Sequence, residues 1–231
     1  MIHGERQISH ENFQLHRLIR CLSISSIQKI FLISKFCKYK KGYQLYTYDN
    51  EISHLYLLLS GRIKIAYCKN NIEIVSEILL DGDIFGELSL TAYKNSKNEF
   101  AEVISNDATV CILNLKDFIG LVQYSSEISY SYSKLIIEKL NVITGKYCDI
   151  IYKDARERIL NFFCLHAQHE GKCKGNKTEI IMLCTHQDIA NFTATSRQTV
   201  SSVINCLIKE KKIIYVGRSK VIIPDMNLLK S

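Results

Sequence analysis

Residues 185–212, THQDIANFTATSRQTVSSVINCLIKEKK, constrain the fold more than any other stretch of this 231-residue chain. The pattern predicts two short helices about a tight turn, the second beginning at Ser196. Thr185 is placed to cap the first helix, with Asp188 three residues on in the position of a capping box. Ile189 gives that helix an apolar anchor, and Thr193-Ala194-Thr195 is short and polar enough for the turn. Ser196 caps the second helix, and Val200, Val203, Ile204 and Leu207 fall on one face of it. The opposite face carries Arg197, Gln198, Ser201, Ser202 and Asn205. Short, polar, mostly uncharged side chains suit base edges in a major groove better than bulk water. The plainer alternative is an αα-hairpin with a solvated face. The next residues of the chain favour a helix-turn-helix. Residues 212–216 (KIIYV) and 220–224 (KVIIP) are two β-like runs about Gly217-Arg218-Ser219, which predicts a hairpin with a basic tip, the wing of a winged helix.

Charge agrees with double-stranded DNA as the expected partner. Residues 153–231 hold thirteen Lys and Arg against seven Asp and Glu, a surplus of six in a chain whose net charge is +7. A cationic segment of this kind is the electrostatic footprint of a phosphate-backbone binder, although a solvated basic surface looks the same in isolation.

Composition narrows the classes further. With 47% hydrophobic residues the chain can bury a real core and is not disordered. No apolar run reaches the ~20 residues a membrane span needs, so no membrane partner is expected. The first twenty residues carry no signal-peptide or obvious transit-peptide pattern, and the protein is expected to stay where it is made. The nine cysteines are odd in number, and no pair has C-x-x-C spacing. They are expected to be reduced and to pack as small hydrophobes, with no metal site, iron–sulfur cluster or other cofactor implied. The sequence leaves haem sensing open. Ile, Lys, Asn and Tyr are abundant, Pro occurs once and Trp is absent, the usage of an AT-rich genome such as that of an organelle or a biased bacterium. The expected location is accordingly a plastid stroma if organelle-encoded, otherwise a bacterial cytoplasm.

The rest of the chain is organised around two changes of pattern. Residues 7–36 read as helical. From 39 to 114 short β-branched or aromatic runs (45–48, 54–59, 62–67, 72–80, 109–113) alternate with turn signals such as Ser60-Gly61 and Asp81-Gly82-Asp83, predicting an antiparallel sandwich or barrel. A long helix is expected from about 125 to 152. Its Ile136, Leu140, Ile143, Tyr147 and Ile150 recur at alternating spacings of four and three, a coiled-coil seam on which a homodimer would form; packing within the chain's own domain is the alternative. The expected architecture is α+β: a β-roll over 1–124, a dimerisation helix over 125–153 and a winged helix over 154–231.

In this order of parts the chain resembles the Crp/Fnr family of transcription regulators over almost its whole length. Ser60-Gly61-Arg62-Ile63-Lys64 looks like the family's strand–turn–strand. Asp81-Gly82-Asp83-Ile84-Phe85-Gly86-Glu87-Leu88-Ser89-Leu90 looks like its effector loop, and Ser196-Arg197-Gln198-Thr199-Val200-Ser201 like its recognition-helix start. The resemblance implies a jelly roll of the cyclic-nucleotide-binding type, a homodimer on a two-fold operator, and contact with RNA polymerase. It implies DNA contacts from Thr185, His186, Gln187, Ser196, Arg197, Gln198, Ser201 and Ser202, with Lys212, Arg218 and Lys220 on phosphate. The Arg-Ser pair that grips a cyclic phosphate in nucleotide-binding members is replaced by Glu99-Phe100. A carboxylate there repels phosphate, so cyclic AMP is not the expected effector. The chain is most similar to the nitrogen-control branch of cyanobacteria and red-algal plastids, which implies a small anion, 2-oxoglutarate, held by Phe85, Gly86, Glu87, Leu88, Asn98 and Lys139. Asn98 stands where that branch has an Arg, and half the expected charge is missing.

A competing class is a small-molecule sensor acting through protein partners, with the helix-turn-helix as a packing element. An enzyme is the weakest class. No paired carboxylates, nucleophile elbow or phosphate-binding Gly loop occurs, and Glu87 and His186 suit ligand-loop and backbone contacts better than acid–base chemistry.

Overall fold

A computed structural model describes residues 12–47, 53–69, 72–87, 99–182, 184–217 and 219–229. Of the expected site residues, Leu88, Asn98 and Arg218 lie outside the described residues. The architecture is mixed α and β. The chain divides into two compact units, residues 1–142 and 143–231, and the division falls within one long helix.

The first unit holds eight described strands: β1 Ser34–Lys40, β2 Gln44–Tyr46, β3 His54–Ser60, β4 Ile63–Lys69, β5 Ile72–Leu79, β6 Ile84–Phe85, β7 Glu99–Val103 and β8 Asp107–Asn114. They form two antiparallel sheets, β1-β8-β3-β6 and β2-β7-β4-β5. Strand β3, HLYLLLS, shows why its apolar run is nearly continuous. Tyr56 and Leu58 point into the roll with Ile63, Ile65, Leu79, Phe85, Ala101 and Val103. Leu55, Leu57 and Leu59 point the other way, onto a helical layer built from Phe13, Leu18, Ile19, Ile30, Phe118, Ile128 and Leu135. A strand buried on both faces has no reason to alternate.

The helical layer comes from residues 13–22, a short helical turn followed by turns, together with α1 Ile24–Leu32, α2 Leu115–Tyr124 and the N-terminal half of α3 Ser126–Tyr152. Ser23 caps α1 and Asn114 caps α2. One expectation fails here. Of the stretch read as helical over 7–36, residues 7–11 lie outside the described residues and 16–22 are turns and bends. The helix from Ile24 stops at Leu32, and Phe36 belongs to β1, which pairs with β8 in the register Phe36↔Cys111. From Ser34 to Lys40 the half-buried Phe36 and Cys37 are adjacent and the exposed Lys35, Lys38 and Lys40 are unevenly spaced, so no clean period of two marks the strand; the apolar residues up to Ile33 continued the helical period and hid the change.

The second unit contains α4 Ala155–Glu170, α5 His186–Phe192 and α6 Arg197–Lys209 over a four-stranded sheet in the order β11-β12-β10-β9, with β9 Lys172–Lys174, β10 Lys177–Ile181, β11 Ile214–Val216 and β12 Lys220–Ile223. Strands β11 and β12 form the expected wing, paired Ile214↔Ile222 and Val216↔Lys220, with Gly217 in the left-handed region at φ 68 in the tip. Along α3, Ile128, Ser131 and Leu135 are buried. From there the apolar residues emerge: Leu140 is 58% exposed, Ile143 54%, Tyr147 64% and Ile150 43%. No helix among the described residues is long and apolar enough to cross a membrane.

Candidate nucleic-acid interface and ligand cradle

The helix-turn-helix begins at a reciprocal cap. Thr185 Oγ1 accepts from the Asp188 amide at 3.1 Å, and the Asp188 carboxylate accepts from the Thr185 amide at 2.8 Å. Two backbone donors of the first turn of α5 are thereby satisfied. Ser196 caps α6 by accepting from Thr199 N at 3.0 Å. Val200, Ile204 and Leu207 are buried beneath α6, with Ile189 and Ala190 of α5. Arg197, Gln198, Ser202 and Asn205 are exposed above, and among the described residues no carboxylate pairs with Arg197. A cation and three short polar side chains therefore share an unblocked helical surface that starts at a helix N-terminus, where phosphate is also favoured.

Not every expected contact residue projects in this way. His186 Nδ1 lies 2.9 Å from Ser201 Oγ, and Ser201 donates to the Arg197 carbonyl at 3.0 Å. The two residues tie α5 to α6. Gln187 is exposed and donates to Asn191 Oδ1 at 2.9 Å. Lys212 is half-buried just after α6, where its amide donates to the Leu207 carbonyl. Lys220 Nζ sits 2.9 Å from Glu179 Oε2, which Lys174 also approaches at 3.4 Å. That carboxylate, held below its usual pKa by the Lys220 bond first, offsets part of the sheet's positive charge.

The expected effector residues of the first unit centre on Lys139 of α3. Its ammonium lies 2.6 Å from Glu87 Oε1, 3.0 Å from Glu77 Oε2 of β5 and 3.4 Å from the Ile84 carbonyl. Burial works against this charge, but Glu77 and Glu87 outweigh it and hold the lysine above its ordinary pKa. Burial raises the Glu77 carboxyl, and Lys139 opposes the rise. Beside this cluster Arg17 bridges Asp83, at 3.0 Å, and Glu138 of α3. Gly86 carries φ +81, and a Cβ there would lie 2.6 Å from the His54 carbonyl, so only glycine closes the loop against β3. Phe85 stacks on Tyr56 with centroids 4.8 Å apart. Glu99, which the sequence reading expected to repel a cyclic phosphate, is 8% exposed and accepts from the Tyr46 hydroxyl at 2.8 Å. Burial first, then the Glu99 charge, pushes the Tyr46 hydroxyl well above its normal pKa.

The structure thus brings Phe85, Gly86, Glu87 and Lys139 together and assigns the cation two carboxylates. Glu77 was missed by sequence reasoning because nothing local to a β-strand Glu announces a partner on a distant helix. Arg158 was missed for the same reason: its guanidinium binds backbone carbonyls of the helix-turn-helix turn 35 and 36 residues away. Among the described residues no group of three or more His, Cys, Asp or Glu is arranged to hold a metal ion.

Residues 157–231 match the Crp-like helix-turn-helix domain and residues 36–125 the cyclic nucleotide-binding domain. The chain is 24% identical over 183 residues to ycf28 of Porphyra purpurea, named as an HTH-type transcriptional regulator, covering 77% of this chain and 73% of that one. It is 23% identical over 193 residues to the Cyclic AMP receptor protein of Thermus thermophilus, covering 83% and 85%. Its fold resembles the solved structure of FixK2 from Bradyrhizobium japonicum with a TM-score of 0.74 at 16% identity, over 86% of this chain and 96% of that one.

Proposed function

We propose, for a chain that belongs to the Crp/Fnr family of transcription regulators, that it binds a two-fold operator in double-stranded DNA as a homodimer, with one α6 in each major-groove half-site. The observation that carries this is the capped α6 with Arg197, Gln198, Ser202 and Asn205 exposed above a buried apolar face and followed by a wing. Exposed Leu140, Ile143, Tyr147 and Ile150 support dimerisation along α3, since large apolar side chains at heptad spacing gain most by burying against a second copy. Two-fold symmetry of the protein then matches two-fold symmetry of the site. RNA polymerase is the further partner of such a regulator, in a plastid or bacterial setting.

The roll answers to a small anion, 2-oxoglutarate rather than cyclic AMP. Buried Glu99 disfavours a cyclic phosphate. An anion at Lys139 has to replace Glu77 or Glu87 as the partner of its ammonium, which would free the Glu87 loop from α3. Ligand binding and a change at the dimer helix are then the same event, the requirement for coupling between two sites.

The test is selection of binding sites from random duplex DNA, followed by Arg197→Ala. A two-fold consensus is expected. The variant should lose about 1–3 kcal/mol and relax discrimination at one base pair per half-site. No enriched sequence, or an Arg197→Ala protein with unaltered base preference, rejects the assignment. Titration with 2-oxoglutarate and with cyclic AMP, reading operator affinity, tests the effector.

A further inference from the structure

The turn between α5 and α6 is held by a side chain from outside the motif. Arg158, in the first turns of α4, donates Nε to the Thr193 carbonyl at 2.7 Å and Nη2 to the Ala194 carbonyl at 3.1 Å. Its Nη1 donates to the Lys153 carbonyl at 2.7 Å. Thr193 and Ala194 terminate α5. Lys153 directly follows α3, and its amide still bonds to the Asp149 carbonyl, continuing that helix's last turn. Both places are helix C-termini, where carbonyls lack intrahelical partners and partial negative charge collects. A guanidinium, planar and with five N–H donors in a fixed fork, can serve three such acceptors at once; an ammonium cannot do so in the same geometry.

The turn has particular need of this. Ala194 adopts φ 50, the left-handed region, which costs a non-glycine residue about 1 kcal/mol or more. Ala194 lies in the short turn that joins α5 to α6, so its conformation, together with the His186–Ser201 contact, bears on the angle between the two helices and on where Arg197, Gln198 and Ser202 point. A second strap runs in parallel: the Lys146 ammonium of α3 lies 3.8 Å from the ring centroid of Phe192, the last residue of α5. Asn161 of α4 also donates to Asp149 of α3.

We propose that Arg158 is a positioning residue for DNA recognition, coupling the end of the long helix to the turn that aims the recognition helix. Base discrimination then depends on a side chain that is not part of the reading face. The inference rests on the DNA-binding function proposed above.

The experiment compares the wild-type dimer with Arg158→Lys and Arg158→Met. Each is titrated with the duplex selected by the wild type and with a scrambled duplex of equal length, at several salt concentrations. Arg158→Lys keeps the charge but not the fork. Its affinity for scrambled DNA and its salt slope should stay within about twofold of wild type, while the ratio of selected to scrambled affinity falls at least tenfold. Arg158→Met should lose the ratio similarly, and if it fails to fold the lysine variant carries the test alone. A purely structural role would lower the folded fraction and weaken both duplexes by one common factor. That outcome, or an Arg158→Lys protein with the wild-type ratio, overturns the proposal. Failure of the wild type to discriminate between the duplexes overturns the DNA-binding function, and this inference with it; a discriminating wild type with an indifferent Arg158→Lys overturns this inference alone.

Discussion

Replacing Lys139 with Met keeps an unbranched apolar stem, one atom shorter, and removes the charge from a site where two carboxylates converge. The separations of 2.6 Å to Glu87 and 3.0 Å to Glu77 correspond, at an effective dielectric of about 20, to roughly 5–6 kcal/mol of gross attraction each. Desolvation of three charges offsets most of that, so the intact cluster has little net worth. The loss is asymmetric. Without the lysine two carboxylates remain on a poorly solvated floor, the Glu87 side chain 11% exposed and that of Glu77 32%. Removing one partner of a buried pair costs about 3–5 kcal/mol, and the exposure of Glu77 places the expectation near the lower end, about 3 kcal/mol at pH 7.5. With a urea dependence of about 2 kcal/mol/M, the unfolding midpoint of the roll falls by about 1.5 M. The sign of the pH effect follows from Glu77. Its folded pKa already lies above the ordinary glutamate value because of burial, and in the Lys139→Met protein no cation opposes the rise. A group whose folded pKa is raised binds its proton more tightly in the folded state, so the variant's deficit shrinks as pH falls from 7.5 towards 5. Neutralising everything, in Lys139→Met with Glu77→Gln and Glu87→Gln, should return stability to within about 1 kcal/mol of wild type. The assay is urea unfolding by circular dichroism at both pH values. An unchanged midpoint in the single variant, or a triple variant no more stable than the single, refutes the reasoning.

Three further outcomes are expected. Ile143→Asp sets a charge opposite its symmetry mate on the exposed stripe of α3, and sedimentation should show a monomer that binds the selected operator weakly; a persisting dimer removes Ile143 from the interface. Gly61 carries φ +102 with the Asp107 carbonyl 2.6 Å from any added Cβ, so Gly61→Ala should lose about 2 kcal/mol or more in urea unfolding, and a neutral result contradicts the turn. His16, 2% exposed, has its pKa lowered to about 4, by burial first and against the bond to the Asp83 carbonyl. Its folded pKa lies below the unfolded value near 6.5, so its contribution is full above pH 6.5 and is lost as pH falls towards 4, about 3 kcal/mol in all. Equal acid sensitivity in wild type and His16→Gln would assign the loss to another group.

What the sequence alone determined is the part of this protein written in short-range order. Thr185 with Asp188, Ser196 with Thr199, and the apolar face of α6 involve residues three or four apart, because capping and helical periodicity are local effects. The exposed stripe of α3 and the wing were legible for the same reason. Strand β1 was not. Its apolar residues run on from a helical pattern, and only pairing with β8, more than seventy residues away, decides that Phe36 is extended. Tertiary structure alone also decided the partners of the charged groups. Lys139 stands in the sequence as a free cation for an anion, but the fold brings Glu77 and Glu87 to it and makes it a bridge. His186 and Ser201 stand as two contacts for DNA, but the crossing of two helices turns them to each other. Arg158 carries no local signal, because its three acceptors are backbone carbonyls that any sequence supplies and only folding assembles. Charge is a property of a residue, whereas its effective value belongs to the distances among groups far apart in the chain, and those distances exist only once the chain has packed.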